Sequence, residues 1–257
     1  MERLTPPISG SASQAQNALQ KIAEKRLHPA LTDPNFLVLR SRRLIFQDWI
    51  AQLAGTELNI LDVGGRYQPY RPLFKTRARR YISCDILRTA FVDVVGNGEC
   101  LPFANETFDL VIATQIFDCF TEPRRAAQQI HAVLKPGGVL LASIPAMAPR
   151  FSDDERWRFT ASGIRSVLSI FREIRIVSEL SSIGGVLRTT NLALQSFAPS
   201  AILKRIIRCT LSPCINLIGL GLEGLKITSN DQFAPNYSIW AIKQEGHEHT
   251  ARVRPLD

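Results

Sequence analysis

Leu58-Asn59-Ile60-Leu61-Asp62-Val63-Gly64-Gly65 is an apolar run that ends in an acid and two glycines. Further on, Tyr81-Ile82-Ser83-Cys84-Asp85 is a second such run and also ends in an acid. Glycine is wanted where a strand turns sharply into a helix, because the backbone must come close to a ligand and take positive φ. An acid at the tip of the second strand, about 20 residues on, accepts hydrogen bonds from ribose hydroxyls. Each piece alone has a plain reading: Asp62-Val63-Gly64-Gly65 as a structural turn, Asp85 as a strand-end cap. Paired at this spacing, the ribose role is the better reading of Asp85. Asp62 either orders the loop or accepts from a ligand ammonium.

Strand-like and helix-like stretches alternate around this segment. Strands are expected near 58–63, 79–84, 91–95, 108–113 and 138–144, most of them continuous apolar runs. Such runs mean burial on both faces, as in a parallel sheet covered by helices. A helix over 121–134 has Pro123 in its first turn and Gly137-Gly138 just past its end. The fold class is therefore α/β, a Rossmann-like, mostly parallel sheet with helices on both faces. Upstream, 11–25 reads as a helix with a thin apolar stripe. Asp33-Pro34 starts another, whose apolar residues recur up to Gly55; it is expected across the sheet edge, with Arg40, Arg42 and Arg43 mostly on its wet face. Downstream, Thr160 caps a helix to about Phe171, 173–177 is a strand, 181–190 a Ser/Gly/Thr loop, and 192–222 two apolar helical segments broken at Ser212-Pro213. The last strand is 237–243. We divide the chain into an N-terminal arm and helix (1–56), a central domain (57–245) with a helical insertion or lid at 192–228, and a polar, disordered tail (246–257).

The chain has 257 residues, 45% of them hydrophobic and 21% charged, enough to bury a full core. Its five cysteines form no CxxC and its four histidines are scattered. That argues against a disulfide framework or a metal site and for a reducing, cytoplasmic compartment. No apolar leader and no membrane span is expected. Thirty-one basic against 23 acidic residues give +8. This fits nucleic acid, phospholipid head groups, a phosphorylated substrate, or simply a basic soluble protein.

Asn97-Gly98-Glu99-Cys100-Leu101-Pro102-Phe103 follows the third strand; Asn97 and the Gly98 backbone can reach an adenine edge, while Leu101 and Phe103 wall the ring or belong to the core. With Thr107-Phe108-Asp109-Leu110-Val111 and Leu134-Lys135-Pro136-Gly137-Gly138, these motifs resemble the type 11 branch of class I S-adenosylmethionine-dependent methyltransferases. The resemblance covers roughly 58–145 and, more weakly, the final strand. It implies a seven-stranded sheet with an antiparallel last strand and S-adenosylmethionine as donor, with S-adenosylhomocysteine as product. It implies donor contacts from Asp62, Gly64, Gly65, Asp85, Ile86, Asn97, Gly98 and Glu99, with Thr114 and Gln115 flooring the pocket. Three departures stand out: Arg66-Tyr67-Gln68 where a third glycine is usual, Asn97 for Asp, and Cys119 where many relatives carry His.

The donor's methyl group is already activated, so the protein's task is alignment and exclusion of water. A hydroxyl acceptor also needs a base. Asp118 and Asp154, or Asp153 beside it, are the candidates; Asp118 can instead cap the following helix, and His131, a further candidate, falls away from the sheet's carboxyl edge. Trp157-Arg158-Phe159-Thr160 resembles a signature of type 11 enzymes in glycan and cell-surface polysaccharide pathways. Trp157 either stacks on a sugar or anchors its loop; Arg158 either pairs with a phosphate or carboxylate or ties down a neighbouring acid. Tyr67 joins them as a substrate contact. The expectation is a methyltransferase acting on a small-molecule or lipid-linked acceptor, a sugar hydroxyl. For 192–222 the first reading is plain packing against the domain and the second is peripheral contact at the inner face of a membrane; an acceptor lid and a dimer contact are its other readings. The alternatives are a nucleic-acid methyltransferase, for which no base-reading box is present, and a non-catalytic protein that keeps the fold.

Overall fold

The computed structural model describes residues 12–225 and 230–244. The expected tail at 246–257 lies outside them.

One sheet of seven strands organises the fold, in the order β3-β2-β1-β4-β5-β7-β6. β1 (Leu58–Val63), β2 (Ala78–Asp85), β3 (Val94–Val95), β4 (Phe108–Thr114) and β5 (Leu134–Pro145) are parallel neighbours. β7 (Asn236–Ile242) runs antiparallel between β5 and β6 (Glu173–Ser178). Leu61 and Leu140 on one face and Ile60 and Leu141 on the other are all fully buried, as two-sided burial requires. The seven strands and the antiparallel last strand are those expected.

Alternate residues of each strand serve the two faces. Leu61, Val63, Val111, Ala113, Leu140 and Ile144 pack against α3 (Pro123–Val133) and α4 (Ala161–Val167). Leu58, Ile60, Leu110, Ile112, Leu141 and Trp240 pack against Phe46, Trp49 and Ile50 of α2 (Phe36–Gln52) and against Leu53, just past its end. α2 thus lies across a sheet face rather than along its edge. That places Arg42 in the buried stripe, only 4% exposed, instead of on the wet face. α1 (Ala12–Leu27) adds Leu27 to the same core.

Two further expectations are corrected. The stretch 181–190 is not a loop: Ser181 caps α5 (Ser182–Phe197), its hydroxyl accepting from the Gly184 amide. The insertion then continues as α6 (Ala201–Cys209) and α7 (Leu211–Leu225). The break falls at Thr210, and Pro213 sits in the first turn of α7, where its missing N–H is harmless.

Candidate functional site

The strand order reverses between β1 and β4, and crevices for ligands form at the carboxyl ends of strands beside such a point. Three turns meet there. The Gly64 amide donates to Cys84 O (2.8 Å), so the turn after β1 is tied to the end of β2. The Gly96 amide donates to Asp85 O (3.0 Å), so the turn after β3 is tied to the same tip. Gly64 has φ +76, the left-handed region that glycine enters without strain.

Asp62 and Asp85 are both 4% exposed. Asp62 Oδ2 accepts from the Tyr81 hydroxyl at 2.7 Å. Burial, eased by the Tyr81 hydrogen bond and reinforced by Asp85, pushes the Asp62 carboxyl up to about 7. Asp85 Oδ1 accepts from the Leu87 amide (2.9 Å), which also fits the strand-end cap reading. Its Oδ2 is buried without a hydrogen bond, with Arg66 Nε 3.4 Å away. Ile86, next along, is largely exposed.

The departure from the third glycine has a local solution. Gln68 takes the left-handed backbone itself (φ +47), which costs a non-glycine residue about 1–2 kcal/mol. Its side chain holds the turn in place, Nε2 donating to Phe91 O and Oε1 accepting from Arg71 Nη1 (2.8 Å). Thr89 Oγ1 also donates to Arg66 O (3.2 Å), drawing the loop after β2 towards the glycine turn. Tyr67 lies beneath the Arg26 guanidinium of α1, 4.6 Å from its ring centroid, and its ring is also faced by Arg66.

Around the third turn the expected residues are present but partly engaged. Asn97 Oδ1 accepts from the Glu99 amide. Gly98 is demanded by packing, since an added Cβ would lie 2.7 Å from the Phe120 ring. Glu99 reaches the start of α3, accepting from the Glu122 amide (2.6 Å) and from Thr121. A hollow of about 230 Å³ lined by Asn97, Glu99, Cys100, Thr121, Glu122 and Arg125 adjoins this loop. Leu101 is buried, and Phe103 meets Phe108 edge-on at 5.2 Å, so Phe103 is a core residue. Thr114 ends β4, and Gln115 (φ +54) donates from Nε2 to Ser143 Oγ at 3.0 Å.

Asp118 follows β4 and is 4% exposed. Its carbonyl accepts from the amides of Arg156 and Trp157, pinning the loop after β5 over this region. Its Oδ1 is buried without a partner, and Arg158 Nη1 stands 3.9 Å from Oδ2. Burial pushes the Asp118 carboxyl up to about 6, with Glu155 adding to the rise. The helix-cap alternative falls to Glu99, whose carboxylate takes the amides at the start of α3 instead. Asp154 sits exposed on the loop and is not drawn to the strand tips. Trp157 donates Nε1–H to Phe120 O (2.8 Å), an anchor that leaves 43% of the residue exposed. Arg158 bonds Ala148 O, Pro149 O and Glu155, which ties the loop together. Cys119, in the place of the relatives' His, is pushed up to about 12 by burial and by Asp118, so its thiol stays protonated. His131 packs edge-on against Phe171, away from the crevice.

One cluster was not anticipated. Glu179, just past β6, is 1% exposed. It accepts from Arg42 Nε (2.8 Å) and Nη2 (2.9 Å), from Ser143 Oγ (2.6 Å) and from Ser238 Oγ (3.0 Å). Burial opposes the Arg42 charge, but the Glu179 carboxylate more than offsets it and holds the guanidinium above its ordinary pKa. Arg42 also reaches Tyr70, and with its amide oxygen turned that way Asn236 accepts from the same guanidinium.

Residues 61–142 match the family described as "Methyltransferase domain", type 11. That stretch is a class I, type 11 methyltransferase domain. Over 93 residues, 34% of this chain and 33% of the relative, it is 34% identical to malonyl-[acyl-carrier protein] O-methyltransferase 1 of Coxiella burnetii. Over 95 residues, 33% of this chain and 28% of the relative, it is 33% identical to the human mitochondrial arginine-hydroxylase NDUFAF5. The chain thus spans about a third of the length of these curated relatives. In fold, a S-adenosylmethionine-dependent methyltransferase of Archaeoglobus fulgidus superposes with a TM-score of 0.51 at 15% identity, covering 87% of this chain and 99% of that one.

The cofactor that goes with a methyltransferase domain is S-adenosylmethionine, and the residues present fit it. The buried Oδ2 of Asp85 accepts no hydrogen bond, although Arg66 pairs with it ionically, so it is an acceptor that ribose hydroxyls would satisfy; Asp62 beside it suits the donor's cationic end. Because a cation selects the ionised carboxylate, donor binding is expected to tighten about tenfold between pH 6 and pH 8 as Asp62 loses its proton. The stability effect runs the other way. With a folded pKa above the unfolded value, the Asp62 contribution is full below about pH 4 and is lost as pH rises through about 7. Calorimetric titrations across that range check the binding half; Asp62→Asn should flatten the dependence.

Proposed function

We propose that the chain transfers the methyl group of S-adenosylmethionine to a hydroxyl of a small-molecule or lipid-linked acceptor, a sugar being the finer reading. The observation that carries it is Asp118: a buried carboxylate with a free oxygen, raised towards neutrality, on the loop after β4 beside the donor-binding turns. A base poised near its working pH, within reach of an acceptor hydroxyl, is what such a transfer needs from the protein. When bound, the donor supplies a methyl group already activated by its sulfonium. Asp62, Asp85 and the Gly64-Gly65 turn hold that donor, Asp118 takes the hydroxyl proton, and the loop carrying Trp157 shields the crevice from water.

Trp157, anchored at one end and exposed over the rest, offers a face on which a sugar stacks. Arginines favour an acceptor that also carries a phosphate or carboxylate. Arg188 of α5 is 3% exposed and keeps Nη1 without a hydrogen bond, with Arg42 and Arg158 close enough to repel it.

Asp85→Ala is expected to weaken S-adenosylmethionine binding by about tenfold or more, some 1.4 kcal/mol. Equal affinities of wild type and variant in calorimetry reject the assigned pocket. Transfer itself is tested by following labelled methyl into lipid-linked glycans.

A second reading has its own observation. Arg66 beside Asp85, with Gln68 and Thr89 closing the loop, describes a crevice that a non-catalytic member of the fold could keep without a donor. A melting temperature that does not move with added donor favours this scaffold reading over methyl transfer.

A further inference from the structure

α7 is built inside out. Its buried face is Ser212, Asn216 and Gly219. Asn216 Nδ2 donates to Leu31 O (2.7 Å) and Asp33 O (2.9 Å), Ser212 Oγ donates to Asn191 Oδ1 (2.7 Å), and Glu223 accepts from the Ser181 hydroxyl (2.7 Å). Gly219 lets the helix sit directly on Leu37 of α2. The outward face is apolar: Leu211, Cys214, Leu217, Ile218 and Leu225 recur at helical spacing, and the last three are 55%, 56% and 70% exposed. A helix on the surface of a soluble domain turns its apolar stripe the other way.

α6 continues the pattern. Ile207 is its buried residue, while Ile202, Leu203 and Ile206 are exposed, and Lys204, Arg205 and Arg208 occupy the opposite side. Contiguous exposed apolar surface of this kind marks an interaction site. The charge says which. Residues 182–225 contain one acid, Glu223, already held by Ser181, so a second copy would bring cations against cations. Anionic lipid head groups complement them.

We propose that α6 and α7 dock the protein on an anionic lipid surface. The exposed apolar side chains enter the boundary between head groups and acyl chains, and Lys204, Arg205 and Arg208 meet the phosphates. The run Ala201–Leu225 is long and apolar enough, by length and composition, to cross a bilayer. Its polar face is committed to Asn191, Leu31 and Asp33, so it lies on the surface instead. This places the crevice where a lipid-linked acceptor is found, but it does not depend on methyl transfer.

Flotation of the full chain with vesicles of equimolar phosphatidylglycerol and phosphatidylcholine, against phosphatidylcholine alone, tests the proposal. The expected result is about tenfold or greater preference for the anionic vesicles, weakening as salt rises. Ile206→Gln/Leu217→Gln/Ile218→Gln should lower partition by about tenfold or more. Lys204→Gln/Arg205→Gln/Arg208→Gln should remove the preference for anionic lipid. Both variants should bind S-adenosylmethionine as the wild type does, and Ile202→Gln repeats the test should the triple apolar variant melt early. Wild-type protein that floats with neither vesicle overturns the proposal. So does an apolar variant that floats undiminished, or a wild-type dimer in sedimentation that the same apolar substitutions dissociate.

Discussion

Glu179→Ala is expected to destabilise the fold by about 3–5 kcal/mol, the range for removing one partner of a buried ion pair. The alanine leaves the Arg42 guanidinium enclosed with its charge uncompensated and two serine hydroxyls, on Ser143 and Ser238, without their acceptor. At roughly 2–4 °C per kcal/mol for a chain of this size, the melting temperature should fall by about 10 °C. Arg42→Met/Glu179→Leu should recover most of the loss, because a well-packed apolar pair avoids the desolvation of both charges. A double-mutant cycle by chemical denaturation measures the coupling directly. A loss below about 1 kcal/mol for Glu179→Ala would place this pair with the weak surface bridges instead.

Asp118→Asn should lower kcat by a factor of about 10² to 10⁴, the usual contribution of a positioned general base. Donor affinity should hold, because Asp118 lies outside the three turns proposed to receive the nucleoside. In the wild type, with the donor saturating, kcat/KM for the acceptor should climb with pH through about 6, as Asp118 ionises, and level off above; the asparagine variant should lose that limb. A variant that keeps the wild-type rate would mean that alignment alone drives the transfer and that the acceptor needs no base.

Much of the architecture was legible because strands buried on both faces advertise themselves. Leu58–Val63, Phe108–Thr114 and the apolar part of β5 are runs that no amphipathic helix would show. The glycine turn, Asp62 and Asp85 were legible for a similar local reason, since a sharp turn and two strand tips leave marks in consecutive residues. Arg42 was misplaced although its phase was visible: it sits one helical turn before Phe46 and two before Trp49, within the apolar stripe. A charged residue in that phase signals a buried partner, but nothing local says that the partner is Glu179, 137 residues away. The first part of α5, 182–190, reads as a loop in sequence because its Ser and Gly residues are poor helix formers. In the fold the Ser181 cap and packing against α7 override that preference.

Residue patterns alone set the α/β class, the strand positions and the pair of acids beside the glycine turn, because backbone preference and burial periodicity act over a few neighbouring residues. Tertiary structure decided which polar groups remain free. Glu99 was spent on the start of α3, Arg158 on its own loop and Gln68 on holding a strained turn, while Asp85 Oδ2 and Asp118 Oδ1 were left buried without a hydrogen bond. It also turned the apolar face of α7 outward. Hydrogen-bond satisfaction and burial are settled by contacts between segments distant in the chain, so they exist only once those segments have met.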